Sequence, residues 1–147
     1  MLSIEMQTKV TKMEVKQTFP PNYDKIKKEF PNCEKQKAVF CYGNVVYNPF
    51  GANMTRDLEV HEAAHSKQQG KDPETWWDKY INDTEFRLLQ EIEAYGVQYY
   101  FLKTFLPEKI TRELLDRISS ALSGELYGNL ITKPKAESLI RHFVKKI

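Results

Sequence analysis

Two histidines four residues apart, with a glutamate directly after the first, constrain this chain more than any other feature. They lie in the run His61-Glu62-Ala63-Ala64-His65. In an α-helix the side chains of residues i and i+4 lie on one face, so both imidazoles can reach one metal ion. Glu62 could then take a proton from a water molecule at that ion. The spacing therefore predicts a helix that carries part of a metal site on one face.

The flanking residues supply a beginning and an end for this helix. Asn53 or Thr55 can cap its amino terminus, and Gly70, followed by Pro73, predicts its end. A plainer interpretation stays open, in which the helix carries two neutral imidazoles that bond to neighbouring polar groups.

A zinc ion in a hydrolytic site takes three protein ligands and keeps its fourth position for water. A third ligand must therefore come from another element. The remaining histidine, His142, lies in a tail rich in Lys and Arg. A better source is the segment that begins at Asn82, with Glu85 three residues later in a capping-box pattern. This segment predicts a helix that runs to about Thr104.

The second helix offers two carboxylates. At about 100° per residue, Glu91 shares a face with Tyr95 and Gln98, whereas Glu93 points to nearly the opposite side. Glu91 lies at the border of the apolar arc that would face the core. We therefore expect Glu91 to join the two histidines as the third metal ligand, with Glu93 as the alternative third ligand.

An HExxH helix followed by Glu-x-x-Ala on a second helix resembles the gluzincin class of zinc metallopeptidases. Within that class the chain is most similar to the small ImmA/IrrE-like members and to minimal HExxH proteins of bacterial and phage genomes. Their third ligand is the Glu of an E-x-x-A-[ND] stretch, which falls here on Glu91, with Ala94 matching. Tyr95 departs from the pattern, which has Asn or Asp there. The run from His65 to Gln69 also resembles an HExxHxxQQ variant, and the resemblance covers roughly residues 40–100.

The resemblance implies a zinc-dependent hydrolase that cleaves a peptide (amide) bond, with Glu62 as general base and later proton donor. It also implies a peptide or a regulatory protein as the substrate, although the motif alone does not separate peptides from other amides. The competing hypothesis is a catalytically inactive metal-binding or structural/interaction protein of the phage or prophage type. Tyr95 at the Asn/Asp position favours this second hypothesis.

The residues before the metal helix predict a small sheet and one short helix. Alternating side chains indicate a strand over residues 12–16, and residues 22–30 indicate a helix. Gly43-Asn44, between residues 38–42 and 45–47, is a two-residue hairpin signal. The sequence therefore predicts a single α+β domain over residues 1–147. In it, a small antiparallel sheet precedes a mostly helical zincin-like core, with the active-site helix packed on the sheet.

The hairpin beside the metal helix has two interpretations. Its edge could pair with an extended peptide substrate, as sheet edges commonly do in zincin-like enzymes. It could instead only cover the helix.

Beyond the second ligand helix the chain is predicted to be helical. Apolar residues recur at helical spacing between Thr111 and Leu122 and between Ala136 and Phe143. Residues 124–129 between them predict a loop, in which Tyr127 could donate a hydrogen bond to a transition-state oxyanion. The simpler interpretation is a turn with a packed tyrosine ring.

Composition excludes other classes. The chain has 22 Lys and Arg against 20 Asp and Glu, a net charge of +2, and no nucleic-acid-binding motif. No run approaches the length of a membrane span, and residues 1–5 lack the features of a signal peptide. Cys33 and Cys41 are too few for a Cys-type zinc site. We therefore expect a cytoplasmic protein with reduced thiols and Zn²⁺ as cofactor, while the oligomeric state stays open.

Overall fold

The computed structural model describes residues 12–147, which form six α-helices, three short strands and one 3₁₀ helix. The strands are β1 (Glu14–Lys16), β2 (Phe40–Tyr42) and β3 (Val45–Tyr47). The helices are α1 (Tyr23–Glu29), α2 (Arg56–Gln69), α3 (Pro73–Asn82), α4 (Thr84–Phe105), α5 (Glu108–Leu122) and α6 (Lys133–Lys145), and the 3₁₀ helix is Glu125–Tyr127. The predicted α+β class is confirmed. The signal-peptide prediction concerns residues 1–5, which lie outside the described residues.

The three strands form one mixed sheet in the order β1-β3-β2. Strands β2 and β3 pair antiparallel, whereas β1 pairs parallel with β3, with Val15 opposite Val46. The prediction of an antiparallel sheet is therefore wrong for β1. The cause lies in the connection: the chain passes through α1 after β1, and β1 then adds to the far edge of the later hairpin. Strand patterns in a sequence do not specify this order.

The β2–β3 hairpin is tied to the carboxyl end of α2 by one glutamine. Gly43 supplies the positive φ of 62° that the predicted two-residue turn requires. Its N–H donates to Gln69 Oε1 at 2.7 Å, and Gln69 Nε2 donates to the Cys41 carbonyl at 2.7 Å. Trp77 Nε1 donates to the same carbonyl at 3.0 Å. At Cys41, side chains of α2 and α3 therefore occupy the carbonyl that a peptide strand paired with the outer edge of β2 would use.

The ends of the two long helices before residue 106 follow local capping chemistry. Helix α2 has Thr55 at its N-cap position and ends at Gly70, whose φ is 58°. Helix α4 is capped by Asp83, whose carboxylate accepts from Phe86 N at 3.0 Å. The predicted capping box at Asn82 is wrong, because Asn82 is the last residue of α3 and its amide donates to the Asp78 carbonyl.

Helix α4 is the central element, and α2, α3, α5 and α6 pack around it. Gly96 allows α6 to approach closely, because a Cβ at this position would collide with the Phe143 ring. The largest fully buried apolar side chains of this region are Leu115, Leu122, Ile140 and Val97. Among the described helices, none is both long and apolar enough to cross a membrane.

Candidate metal centre

Packing of α2 against α4 brings His61, His65 and Glu91 into one buried cluster. The two Nε2 atoms lie 3.1 Å apart. His61 Nε2 lies 3.2 Å from Glu91 Oε1, and His65 Nε2 lies 3.3 Å from Glu91 Oε2. Ligand atoms around a tetrahedral zinc ion, with bonds of about 2.0–2.2 Å, are separated by about 3.3–3.6 Å. This buried group could therefore hold a metal ion.

A glutamine on α4 fixes the orientation of the first imidazole. His61 Nδ1 lies 3.0 Å from Gln98 Oε1, while Gln98 Nε2 donates to Asp57 Oδ2 at 2.8 Å. Because Asp57 accepts from the amide nitrogen, the amide oxygen must face the ring. The ring therefore carries its proton on Nδ1 and directs the Nε2 lone pair into the cluster.

A second glutamine does the same for the other imidazole. His65 Nδ1 lies 2.8 Å from Gln68 Oε1, and Gln68 Nε2 donates to Glu93 Oε1 at 3.1 Å and to the Gln90 carbonyl at 3.0 Å. Glu93, the alternative third ligand, thus orients Gln68 and lies outside the group that could hold the ion. Each histidine is therefore oriented by one glutamine amide, and each amide donates a hydrogen bond to one carboxylate.

The resulting cluster needs a cation. Two Nε2 lone pairs and a carboxylate converge in a buried space, and Glu91 Oε1 has no hydrogen-bond partner among residues 12–147. Burial alone would lower the pKa of His65, but the negative charge and hydrogen bond of Glu91 raise it to about 9. Burial alone would raise the pKa of Glu91, yet the two imidazoles hold it well below 4.5. Without a metal a proton fills this role. The donor set also fits zinc, and nitrogen-oxygen sites of this kind bind other divalent transition metals too.

Glu62 lies beside the cluster and takes no part in the ligand group. Its side chain is buried, and its Oε2 is without a hydrogen-bond partner in the described part of the chain. Burial raises the pKa of Glu62, although the neighbouring imidazoles oppose that change. A buried carboxylate oxygen without a hydrogen bond costs folding free energy, and such atoms in proteins commonly have a functional role.

Three tyrosines complete the walls. Tyr80 donates a hydrogen bond to Glu91 Oε2 at 2.6 Å, and this bond holds the carboxylate in place. The Tyr95 ring packs on His61 with centroids 4.3 Å apart, and its hydroxyl lies 2.7 Å from that of Tyr127. Burial, and then the charge of Glu91, raise the pKa of both Tyr95 and Tyr127, so both hydroxyls stay neutral hydrogen-bond donors.

A buried arginine links the tyrosines on two different segments. Arg87 Nε donates to the Tyr80 carbonyl at 2.9 Å, Nη2 to the Ile81 carbonyl at 2.8 Å, and Nη1 to the Tyr127 carbonyl at 2.9 Å. Its guanidinium also lies over the Phe30 ring, 4.6 Å from the centroid. Arg87 thereby holds the 3₁₀ helix, and with it Tyr127, against the metal cluster.

Two spaces adjoin the cluster. A cavity of about 60 Å³ is lined by all three candidate ligands and Glu62, with walls from Trp76, Tyr80 and Tyr127. This volume holds an ion and a few water molecules but not a peptide. A wider groove of about 270 Å³ is also lined by His61, Glu62 and Tyr127 and opens to solvent.

The structure gathers most of the residues that the sequence singled out. His61, Glu62, His65 and Glu91 meet at one place, and Tyr127 lies at its wall, while His142 lies on α6. Sequence reasoning missed the roles of five further residues, namely Asp57, Gln68, Tyr80, Arg87 and Gln98. The sequence spacing could have indicated three of them, because Asp57 and Gln68 lie at helical spacing from the histidines and Gln98 lies two turns after Glu91. No sequence pattern indicated the roles of Tyr80 and Arg87.

Comparison with known proteins gave no match: no family model, no curated protein and no solved structure is similar to this chain. Only the residues of this site therefore indicate a class of protein.

Proposed function

We propose that this protein is a zinc-dependent hydrolase of the HExxH-plus-Glu type that cleaves a peptide (amide) bond. Its ligands would be His61, His65 and Glu91, and Glu62 would be the general base. Support comes from the convergence of three ligand atoms in a buried cluster that could hold a metal ion.

The observation that carries the proposal is the buried Glu62 carboxylate, whose Oε2 has no hydrogen-bond partner among residues 12–147. A site that only stores or displays a metal has no use for an additional buried carboxylate beside its ligands. Burying a carboxylate with incomplete hydrogen bonding costs on the order of several kcal/mol. A carboxylate with a free oxygen beside a cation site is what proton transfer from an attacking water requires.

The reaction would break the C–N bond of the substrate and form a C–O bond to water. A bound zinc ion would supply Lewis acidity toward the substrate carbonyl and lower the pKa of a water molecule toward neutrality. Glu62 would accept one proton from the attacking water and pass it to the leaving nitrogen. Gln98 and Gln68 would keep the two imidazoles in the tautomer that binds a metal through Nε2.

Tyr127 is the proposed transition-state stabiliser. Tyr127 lines both the cavity and the groove, and it is held by the Tyr95 hydroxyl and by the Arg87 contact to its backbone. Tyr127→Phe is expected to reduce kcat by about a hundredfold with zinc content unchanged. An unchanged kcat would remove Tyr127 from the mechanism and leave it as a packed ring.

The resemblance to ImmA/IrrE-like and other minimal HExxH proteins supports the same assignment and extends it to a zincin-like fold with a peptide or protein substrate. The alternative is a catalytically inactive metal-binding or structural protein, and Tyr95 at the Asn/Asp position favours it. In the family pattern, the Asn or Asp would orient a histidine ligand. Here Gln98 makes the hydrogen bond that orients His61, so Tyr95 at that position is weaker support for the alternative.

The proposal is tested first by metal content. Elemental analysis of the purified protein is expected to give one zinc per chain, lost in His65→Ala and in Glu91→Ala. Glu93→Ala is the matched control on the same helix and should retain the metal, because Glu93 accepts a hydrogen bond from Gln68 and lies outside the ligand group. Loss of zinc in Glu93→Ala with retention in Glu91→Ala would contradict the ligand assignment.

Activity is tested with the zinc-loaded protein and a proteome-derived peptide mixture, with new amino termini detected by mass spectrometry. Wild-type protein should generate them, and Glu62→Gln should generate none while it keeps its zinc. Cleavage that persists in Glu62→Gln would remove the proposed base. Full zinc content without cleavage would favour the inactive metal-binding alternative.

A further inference from the structure

The groove of about 270 Å³ next to Glu62 has a charge pattern that bears on the substrate. Two cationic side chains line it, Lys37 from the turn before β2 and Arg117 from α5. Glu62 is the one acidic side chain among its described lining residues, and that group lies at the metal site. The open part of the groove is therefore positive.

Neither cation is neutralised by an acidic side chain of the described part of the chain. Among residues 12–147, Lys37 and Arg117 take part in no ion pair, whereas their neighbours Arg112 and Lys133 pair with Glu108 and Asp116. Both side chains are exposed and can reach a ligand. An arginine with free N–H groups presents a fork that matches a carboxylate.

The backbone fixes the position of Lys37. Its φ of 51° lies in the left-handed region. The adjacent Ala38 N–H donates to the Cys33 carbonyl at 2.9 Å, a bond typical of the turn that ends a helical segment with a left-handed residue. This turn places Lys37 among the residues that line the groove.

Most of the remaining lining of the groove is apolar. Val39, Leu58, Ile118 and Leu126 form its walls, and the groove meets the metal cluster at His61 and Glu62. A peptide in it would place apolar side chains against these walls and present its backbone to Glu62, with Lys37 and Arg117 beside it.

We propose that this groove binds the substrate through a carboxylate, which Arg117 and Lys37 recognise, next to apolar residues that pack on its walls. The inference rests on the proposed function, since it names the substrate class of the same site. The carboxylate is either the carboxyl terminus of the peptide or an acidic side chain close to the cleaved bond.

The test measures binding of randomised dansyl tripeptide pools to zinc-loaded Glu62→Gln protein, so that the probe is not consumed. One pool ends in a free carboxylate, a second is amidated and neutral, and a third is amidated with glutamate at its middle position. A pool with a carboxylate is expected to bind about tenfold more tightly than the neutral pool. Whichever of the two carboxylate pools has this advantage identifies the source of the charge.

Matched charge variants in the same background separate recognition from general electrostatics. The pair Lys37→Gln with Arg117→Gln should abolish the preference for a carboxylate. The control pair Lys35→Gln with Arg112→Gln removes the same net charge from exposed positions outside the groove and should keep it. Equal binding of all pools, no binding of any pool, or equal loss in both pairs would overturn the inference.

The outcome separates this inference from the proposed function. If wild-type protein cleaves the pools without a charge preference, the inference fails and the hydrolase proposal stands. If the pools bind with the preference but are not cleaved, the groove assignment stands and the hydrolase proposal fails.

Discussion

The hydrogen bond from His61 to Gln98 gives the most informative single test of the metal centre. Gln98→Met keeps the length and burial of the side chain but removes both amide groups. The Nδ1–H of His61 then loses its acceptor at 3.0 Å, and Asp57 loses its donor at 2.8 Å. The ring can rotate or change tautomer, which misdirects Nε2. We expect zinc affinity to fall by about 10- to 100-fold, the usual effect of removing such a hydrogen bond.

Zinc affinity of the variants is measured by competition with a chromophoric chelator at fixed pH, alongside thermal unfolding of the metal-free proteins. The matched control is Gln90→Met on the same helix, whose amide accepts from Trp76 Nε1 and touches no ligand. Both variants should lose stability, by about 1–3 kcal/mol for the polar partner left unsatisfied. Only Gln98→Met should lose zinc affinity beyond a few-fold. Equal zinc affinities for the two variants would refute the claim that Gln98 orients a ligand.

Four further predictions concern protonation and packing. Glu91 raises the pKa of His65 from 6.5 to about 9, so a zinc ion that binds below pH 9 must displace a proton from this imidazole. The affinity for zinc should therefore rise with pH from 6.5 to 9. An affinity that does not change with pH, measured by chelator competition, would contradict this. Metal-free protein should lose the stabilisation from the His65–Glu91 pair over the same range, since that contribution is complete only below pH 6.5. Gly96→Ala should destabilise by about 1–3 kcal/mol through collision with Phe143, and Phe143→Leu should recover part of the loss in chemical denaturation. Gln69→Leu should increase hydrogen exchange in the hairpin that Gln69 holds, with the exchange of α4 unchanged.

The sequence predicted the parts of this site that follow helical periodicity. The i, i+4 spacing placed His61 and His65 on one face, and counting around α4 separated Glu91 from Glu93. It could not predict which element would pack beside the cluster. Tyr80 reaches Glu91 only because α3 folds back on α4, a result of the whole tertiary arrangement. The same limit applies to β1, whose alternation indicated a strand but not a partner.

The two ligand helices depend on a single register. Asp57, His61 and His65 follow one another at four-residue intervals on α2, and Glu91 and Gln98 lie two turns apart on α4. Asp57 bonds Gln98, Gln98 bonds His61, and both histidines meet Glu91. A slip of α2 against α4 by one helical turn, about 5.4 Å, would break every one of these contacts together. The apolar packing that sets this register therefore also brings the candidate metal ligands together, so core substitutions between α2 and α4 should reduce metal affinity and stability in parallel.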